Sequence, residues 1–237
     1  MNAKLRYQGT YIGFLWTALE PLFAFIILYT VFSGLREDDN ANYAIYLLVG
    51  IVFFQMFSRG TLNGLGSLRN NSGIIKSLNI RREIFPVVST GSTAILMIIQ
   101  IVVLFVLMPF FGFTPPWTII FLPFPLVLML GLILGLSYLL SILYVYIRDI
   151  QPSWSVFSYA LFFVSPIFWH LNEVDGMLKQ IHFFNPLGRI IELAHGVIFN
   201  EIPPIDEIII SVIYVVGIFL VGYFVFQRYE NKIAEEF

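Results

Sequence analysis

Leu126–Ile147 reads LVLMLGLILGLSYLLSILYVYI, an uninterrupted apolar run with no charged side chain. As an α-helix rising 1.5 Å per residue it is long enough to cross the roughly 30 Å hydrocarbon core of a bilayer. It belongs to a longer stretch, about Trp117–Ile147, whose opening Pro116, Pro123 and Pro125 predict an interfacial or kinked piece ahead of the span. Five further stretches outward from it have spanning character: about Tyr11–Ser33, Tyr43–Leu65, Val87–Phe111, Trp154–Trp169 and Ile205–Phe226. The Trp154–Trp169 stretch is short. Hydrophobic residues make up 58% of the chain and charged residues 12%, with a mean hydropathy of +0.84. A soluble domain has roughly 45–50% apolar and about 25% charged residues. The expected fold is therefore all-α, a polytopic membrane protein with six transmembrane helices in one domain covering residues 1–237.

The basic residues orient the spans. Lys4, Arg6, Arg69, Lys76, Arg81, Arg82, Arg148, Arg228 and Lys232 fall on one side, and Arg36, Lys179 and Arg189 on the other. The second side instead carries Glu37, Asp38 and Asp39, with Glu173, Asp175, Glu192, Glu201, Asp206 and Glu207 further on. By the positive-inside rule the richer side is cytoplasmic, which places the chain in the cell membrane with both termini in the cytoplasm.

Several function classes lack their residues. No GxxxxGK[ST] loop is present to cradle phosphates, so any ATP hydrolysis belongs to another chain. The spans hold no strings of acids or histidines of the kind proton-coupled carriers use as relays. The chain has no cysteine, and His170, His182 and His195 have no metal-binding spacing, so no metal site and no cofactor is expected on it.

One polar island interrupts the apolar chain. Asn70–Pro86, NNSGIIKSLNIRREIFP, carries Lys76, Arg81, Arg82 and Glu83, together with Ile74, Ile75, Leu78 and Ile80, which form an apolar face if the segment is a short helix. Such a helix can seat in a partner's groove with its charges as rim contacts, or its basic residues can anchor the loop to anionic lipid. Inside the spans, Glu20 and Arg59 lie at similar depth from the cytoplasmic ends of the first and second. An ionised group there is costly without a partner, so the two either pair or snorkel separately. Arg148-Asp149 sits on a tight turn before Pro152, where the two residues either form a salt-bridged turn or make a second cytoplasmic contact to a partner. Pro166, Asn185 and Pro186 punctuate two short apolar pieces, about Val174–Phe184 and Pro186–Phe199, suited to helices that dip into the outer leaflet. Aromatic residues cluster around the fifth span: Trp154, Phe157, Tyr159, Phe162, Phe163, Phe168 and Trp169. Such rings either pack against helices and lipid or line a conduit and stack on sugar faces, and Tyr159 and Trp169 carry polar handles suited to the second role.

Four motifs in chain order resemble the permease subunits of ABC-2 type exporters, in the polysaccharide and teichoic acid export branch. LRYQGTYIGFLWTALEPL (Leu5–Leu22) is similar to that branch's entry pattern at Arg6, Tyr7, Thr10, Ile12, Gly13, Trp16, Pro21 and Leu22. SLNIRREIFPV (Ser77–Val87) resembles the loop in which basic residues precede an aliphatic-Phe-Pro turn. YIRDI (Tyr146–Ile150) and the pair SPIFW and FNPLGRIIEL (Ser165–Trp169, Phe184–Leu193) complete the match. In two places the chain departs from the pattern. The basic segment ahead of Arg-Tyr is longer in the family, and His195 stands where the family often has an arginine.

The resemblance implies a homodimeric permease whose cytoplasmic loops dock on ABC ATPase subunits, which bind the ATP and Mg. A polymer conduit would lie at the dimer centre and re-entrant helices would form an outer gate. It assigns ATPase coupling to Ile74, Ile75, Lys76, Leu78, Ile80, Arg81, Arg82 and Glu83, and a second cytoplasmic contact to Arg148 and Asp149. The substrate path falls to Trp154, Phe157, Tyr159, Phe162 and Trp169, and the gate to Pro166, Asn185 and Pro186. The expected function is outward, ATP-driven movement of a lipid-linked polysaccharide, in contact with membrane lipids and no nucleic acid; the chain itself is no enzyme. An ABC-2 permease for drugs or lipids is the nearest alternative. An intramembrane enzyme acting on lipid-linked sugars is the second, although Asp175, Asp206 and Glu207 have no convincing sequence partners for catalysis.

Overall fold

The computed structural model describes residues 13–32, 40–78, 80–201, 203–230 and 233. Those residues are built of helices and turns, with no strand among them. The helices are α1 Gly13–Phe32, α2 Asn40–Leu65, α3 Ser72–Ser77, α4 Ile84–Leu107, α5 Pro123–Tyr146, α6 Ile150–Val164, α7 Met177–Phe184, α8 Pro186–Ile198 and α9 Ile205–Tyr229. Short 3-10 turns cover Arg69–Asn71, Met108–Phe111, Trp117–Phe121 and Leu171–Glu173.

Proline marks four of the nine helix starts among the described residues. Pro86, Pro123, Pro152 and Pro186 each lie within the first three residues of a helix, where a missing N–H costs nothing because that donor has no partner inside the helix. The Pro116–Pro125 stretch behaves accordingly: Trp117–Phe121 is a separate 3-10 piece and α5 begins at Pro123. Pro21 alone lies deep within a helix, α1. Gly112 closes the turn after α4 in the left-handed conformation, with φ of 71°.

Among the described residues, four helical stretches are long and apolar enough to cross a membrane: Asn42–Leu65, Ile84–Phe111, Trp117–Tyr146 and Ile205–Tyr229. The Leu19–Phe32 part of α1 is apolar but shorter, and α6 has 15 residues. α6 stops at Val164 because Ser165 turns to extended backbone, five residues before the expected end of the fifth span at Trp169.

α2 is the central helix, with 78% of its apolar window buried, against 17% for α9 and 22% for α4. It packs on α5 where Gly60 meets Ile133 and Gly64 meets Ser137, and a Cβ at Gly64 would overlap the serine side chain. α5 in turn meets α9 where Gly135 and Gly222 face each other; a Cβ on Gly135 would lie 2.7 Å from the Phe219 backbone. Small residues at these crossings let backbones approach closely, which is how helices associate where the solvent is as apolar as their side chains. The outward faces of α4 and α9 remain apolar, with Ile95, Ile98, Val102, Ile209, Ile213 and Phe224 exposed.

Candidate functional site

At the end of the bundle that holds the polar island, the island is only partly helical. α3 ends at Ser77 and Leu78 is extended, so Ile74, Ile75, Leu78 and Ile80 do not share one helix face. Ile75 turns inward and packs with Leu68, Tyr138, Ile142, Phe226 and Ile233, whereas Ile74, Leu78 and Ile80 are exposed. The expected four-residue face is corrected to three outward residues and one anchor, because a six-residue helix followed by extended chain cannot keep a helical stripe in register.

The charges divide in the same way. Arg82 donates to the Glu230 carbonyl just past α9, and Glu83 accepts from Gln227 Nε2 at 2.8 Å, so this pair ties the island to the end of α9. Arg81 projects outward, 84% exposed, with only a 3.5 Å contact to Glu83, and Lys76 is also exposed. Arg148 and Asp149 lie exposed on the turn between α5 and α6, with no ion pair between them. Beside them, Arg69 donates to the Tyr144 carbonyl at 3.2 Å and stacks over the Tyr144 ring, which stitches the end of α2 to the end of α5.

A groove of about 380 Å³ opens between α1, α2 and α6. Toward the island end its wall is polar, with Ser58 and Arg59 from α2, Ser155 from α6 and Glu20 from α1; farther along it becomes aromatic, with Phe54, Phe162 and Phe163. Arg59 and Glu20 form an ion pair there, the arginine 23% and the glutamate 50% exposed. Tyr159 lines the groove between the two zones and is 69% exposed. Phe162 stacks edge-on against Phe54 with 4.8 Å between centroids. Two buried polar atoms of the lining, Gln55 Oε1 and Ser158 Oγ, have no hydrogen-bond partner. These two residues, with Ser58, had no motif to draw attention to them; their only sequence signal is an amide or hydroxyl within an apolar span.

The remaining aromatic candidates are dispersed. Trp154 donates from its indole to Thr61 Oγ1 at 2.9 Å and is half-buried against Phe57, outside the groove lining. Phe157 packs on Trp154 with its ring half exposed. Trp169 is buried at the opposite end of the molecule, where its indole meets the Phe163 carbonyl and its own carbonyl accepts from Tyr46. Five residues of non-helical chain after Val164 carry it away from the α6 face that bears Tyr159 and Phe162.

That far end is a closed cap. Asn185 Nδ2 donates to Ser165 Oγ at 2.9 Å, which clips the start of α8 to the end of α6, beside the buried Pro166. Pro186 opens α8, most of which is buried. Arg189, 3% exposed, donates to the Phe183 carbonyl at 2.8 Å, pairs with Glu207 and lies over the Phe183 and Tyr214 rings. His195 is stacked on Tyr46, and burial lowers it to about 3, so the neutral ring donates from Nε2 to the Tyr46 carbonyl at 3.0 Å. Among the described residues no group of three His, Asp or Glu is placed to hold a metal ion.

The groove, the island and the cap all fall within a match to known proteins. The model of the ABC-2 type transporter family covers residues 2–199. The chain belongs to the ABC-2 type transporter family. This ABC-2 chain is 26% identical over 237 residues to the O-antigen export system permease protein RfbA of Klebsiella pneumoniae, covering 99% of the chain and 91% of that relative. It is 23% identical over 198 residues to the polysialic acid transport protein KpsM of Escherichia coli, covering 81% and 75%. To the capsule polysaccharide export inner-membrane protein CtrC of Neisseria meningitidis it is 21% identical over 205 residues, covering 83% and 75%. An ABC-2 chain is a membrane transport subunit, and the four long apolar helices suit that role.

Proposed function

We propose that this chain is the membrane subunit of an ATP-driven exporter that moves a lipid-linked polysaccharide out of the cell. The observation that carries the reading is the end-to-end similarity to O-antigen export permeases, 99% of the chain aligned, with capsule exporters as further relatives. On this reading α1 and α6 complete six membrane passages, α1 at its 20-residue length and α6 by joining its 15 residues to the chain that follows. Both termini and the island then lie in the cytoplasm, and two copies of the chain enclose the conduit.

The exposed Ile74, Leu78, Ile80 and Arg81 are the surface for an ABC ATPase, with Lys76, Arg148 and Asp149 at its rim. Arg82, Glu83 and Ile75 carry the ATPase's movement into α9, because they fasten the island to that helix. The cap helices α7 and α8, with Pro166, Asn185 and Pro186 at their hinges, serve as the outer gate. Non-helical backbone at that depth is tolerated where protein buries it, as it does here. ATP and Mg belong to the partner, and the glycan meets Tyr159, Phe162 and their neighbours.

Co-purification with the ABC ATPase encoded beside it tests the reading. The complex is expected to form and its ATP hydrolysis to rise when lipid-linked glycan is supplied. A chain that binds no ATPase overturns it, and stimulation by drugs or ordinary lipids but not by glycan moves it to another ABC-2 branch.

A further inference from the structure

Charge inside the α1–α2–α6 groove is confined to one place. Arg59 stands on α2, the most buried of the long helices; Glu20 stands on α1, most of whose described side chains are exposed or half-buried, and is twice as exposed. The two ends of this pair differ in the cost of letting go. Glu20 is half exposed about two turns from the start of α1, so once displaced it can turn to the headgroup layer, whereas a largely buried guanidinium left without an anion has no such way out. Arg59 therefore needs an anion at all times, and Glu20 is the replaceable one.

The surrounding groove has the character of a ligand site that the chain alone leaves incomplete. Gln55 Oε1 and Ser158 Oγ are buried in its wall without partners, Gln55 at 9% and Ser158 at 2% exposure. Buried polar atoms are nearly always satisfied, so an orphaned acceptor and an orphaned hydroxyl on facing helices of one groove call for a hydrogen-bonding occupant. Ser58 and Ser155 stand beside Arg59, and the aromatic zone of Phe54, Phe162 and Phe163 begins beyond them. The order is cation and hydroxyls at the island end, then rings. It matches an amphiphile with an anionic head and an apolar or ring-stacking remainder, and planar guanidinium is the side chain best suited to grip phosphate oxygens.

We propose that Glu20–Arg59 is a displaceable clasp, in which the phosphate group of a membrane lipid takes Arg59 from Glu20 and so frees α1 from α2 to open the groove. The proposal rests on the export reading for the identity of the lipid, a polyprenyl diphosphate carrying glycan, but the shared chemistry is a lipid phosphate, which ordinary anionic phospholipid also carries. No bond is made or broken covalently; one anion replaces another on a fixed cation, and Glu20 turns to water. With the ion pair formed the groove keeps its volume of about 380 Å³, and with a lipid phosphate on Arg59 it opens further.

Binding of a polyprenyl diphosphate to the full chain in neutral phosphatidylcholine nanodiscs tests the clasp, with phosphatidylglycerol as competitor. Glu20→Gln removes the competing anion and is expected to tighten binding about threefold to tenfold, while Arg59→Gln is expected to weaken it at least tenfold and Arg59→Lys to fall between. The opposite signs for the two partners are decisive, since loss of a purely structural pair moves both variants the same way. Preference for the diphosphate over phosphatidylglycerol assigns the site to the exported lipid; equal competition supports the clasp and assigns it to bulk anionic lipid. The proposal is overturned if Glu20→Gln weakens binding or leaves it unchanged. Because the assay needs no ATPase, its failure is distinct from a failure to recruit one.

Discussion

The island at one end of the molecule and the cap at the other are both short helices between spans, both rich in aliphatic residues, and they solve opposite problems. Within the cap, α8 hides its apolar side chains: Leu187, Ile190, Ile191, Ala194 and Ile198 are buried, and its Arg189 and His195 are held by Phe183, Glu207 and Tyr46. The island turns one isoleucine inward and leaves Ile74, Leu78 and Ile80 in the open. Burial of apolar surface is the main source of folding free energy, so exposed aliphatics on a segment tethered by Arg82, Glu83 and Ile75 mark a surface kept for something outside the chain. α8 completes its own fold, whereas the island is built to be completed.

That contrast can be broken in graded ways. Ile190→Ala, in the fully buried part of the cap, is expected to cost about 3 kcal/mol through lost burial and a cavity, read as a lower melting temperature of the purified protein. An unchanged melting temperature would mean that the cap is not part of the cooperative core.

Acid should weaken the cap next. His195 is held neutral with its folded value about 3, below its ordinary value of about 6.5. The folded state thus binds fewer protons than the unfolded one between those limits. Stability is full well above pH 6.5 and falls as the pH drops through 6.5 toward 3. His195→Gln should flatten that slope in pH-dependent melting; an equally steep slope in the variant would assign the acid sensitivity elsewhere.

The island should respond the other way round. Leu78→Ser is expected to leave melting within about 0.5 kcal/mol of the parent but to weaken binding of the ATPase about tenfold, by pull-down or interferometry. Loss of stability without loss of binding would make the island a structural element like the cap. The smallest effect belongs to Arg81→Glu, an exposed rim charge, which should slow ATPase association about threefold and reduce its salt dependence while leaving folding untouched. Arg82→Glu, by contrast, should raise hydrogen exchange across residues 72–85, because that arginine holds the island to α9.

Much of this was legible beforehand. The helical class and the long apolar runs follow from composition and period, and the family motifs stand in order along the chain. The prolines that open α4, α5, α6 and α8 act through local geometry, so their meaning is visible in one dimension. On the island, four aliphatic residues in seven suggest a stripe, and only the break after Ser77 separates them. Trp169 is near Tyr159 and Phe162 in sequence, but a turn at Ser165 sends it to the cap. Gln55, Ser58 and Ser158 carried no motif, and a groove shared by three helices has no linear signature.

The sequence by itself determined that this chain is a bundle of apolar helices of the ABC-2 transporter family with a basic loop between two of them. Tertiary structure alone decided that α2 is central, that Ile75 faces in while Leu78 faces out, and that Glu20 meets Arg59 at the mouth of a groove. The reason is physical. Lipid and protein interior are equally apolar, so hydrophobicity reports that a helix leaves water but not which of its faces meets another helix. That choice is made by small residues such as Gly64, Gly135 and Gly222 and by the few polar groups that must find partners.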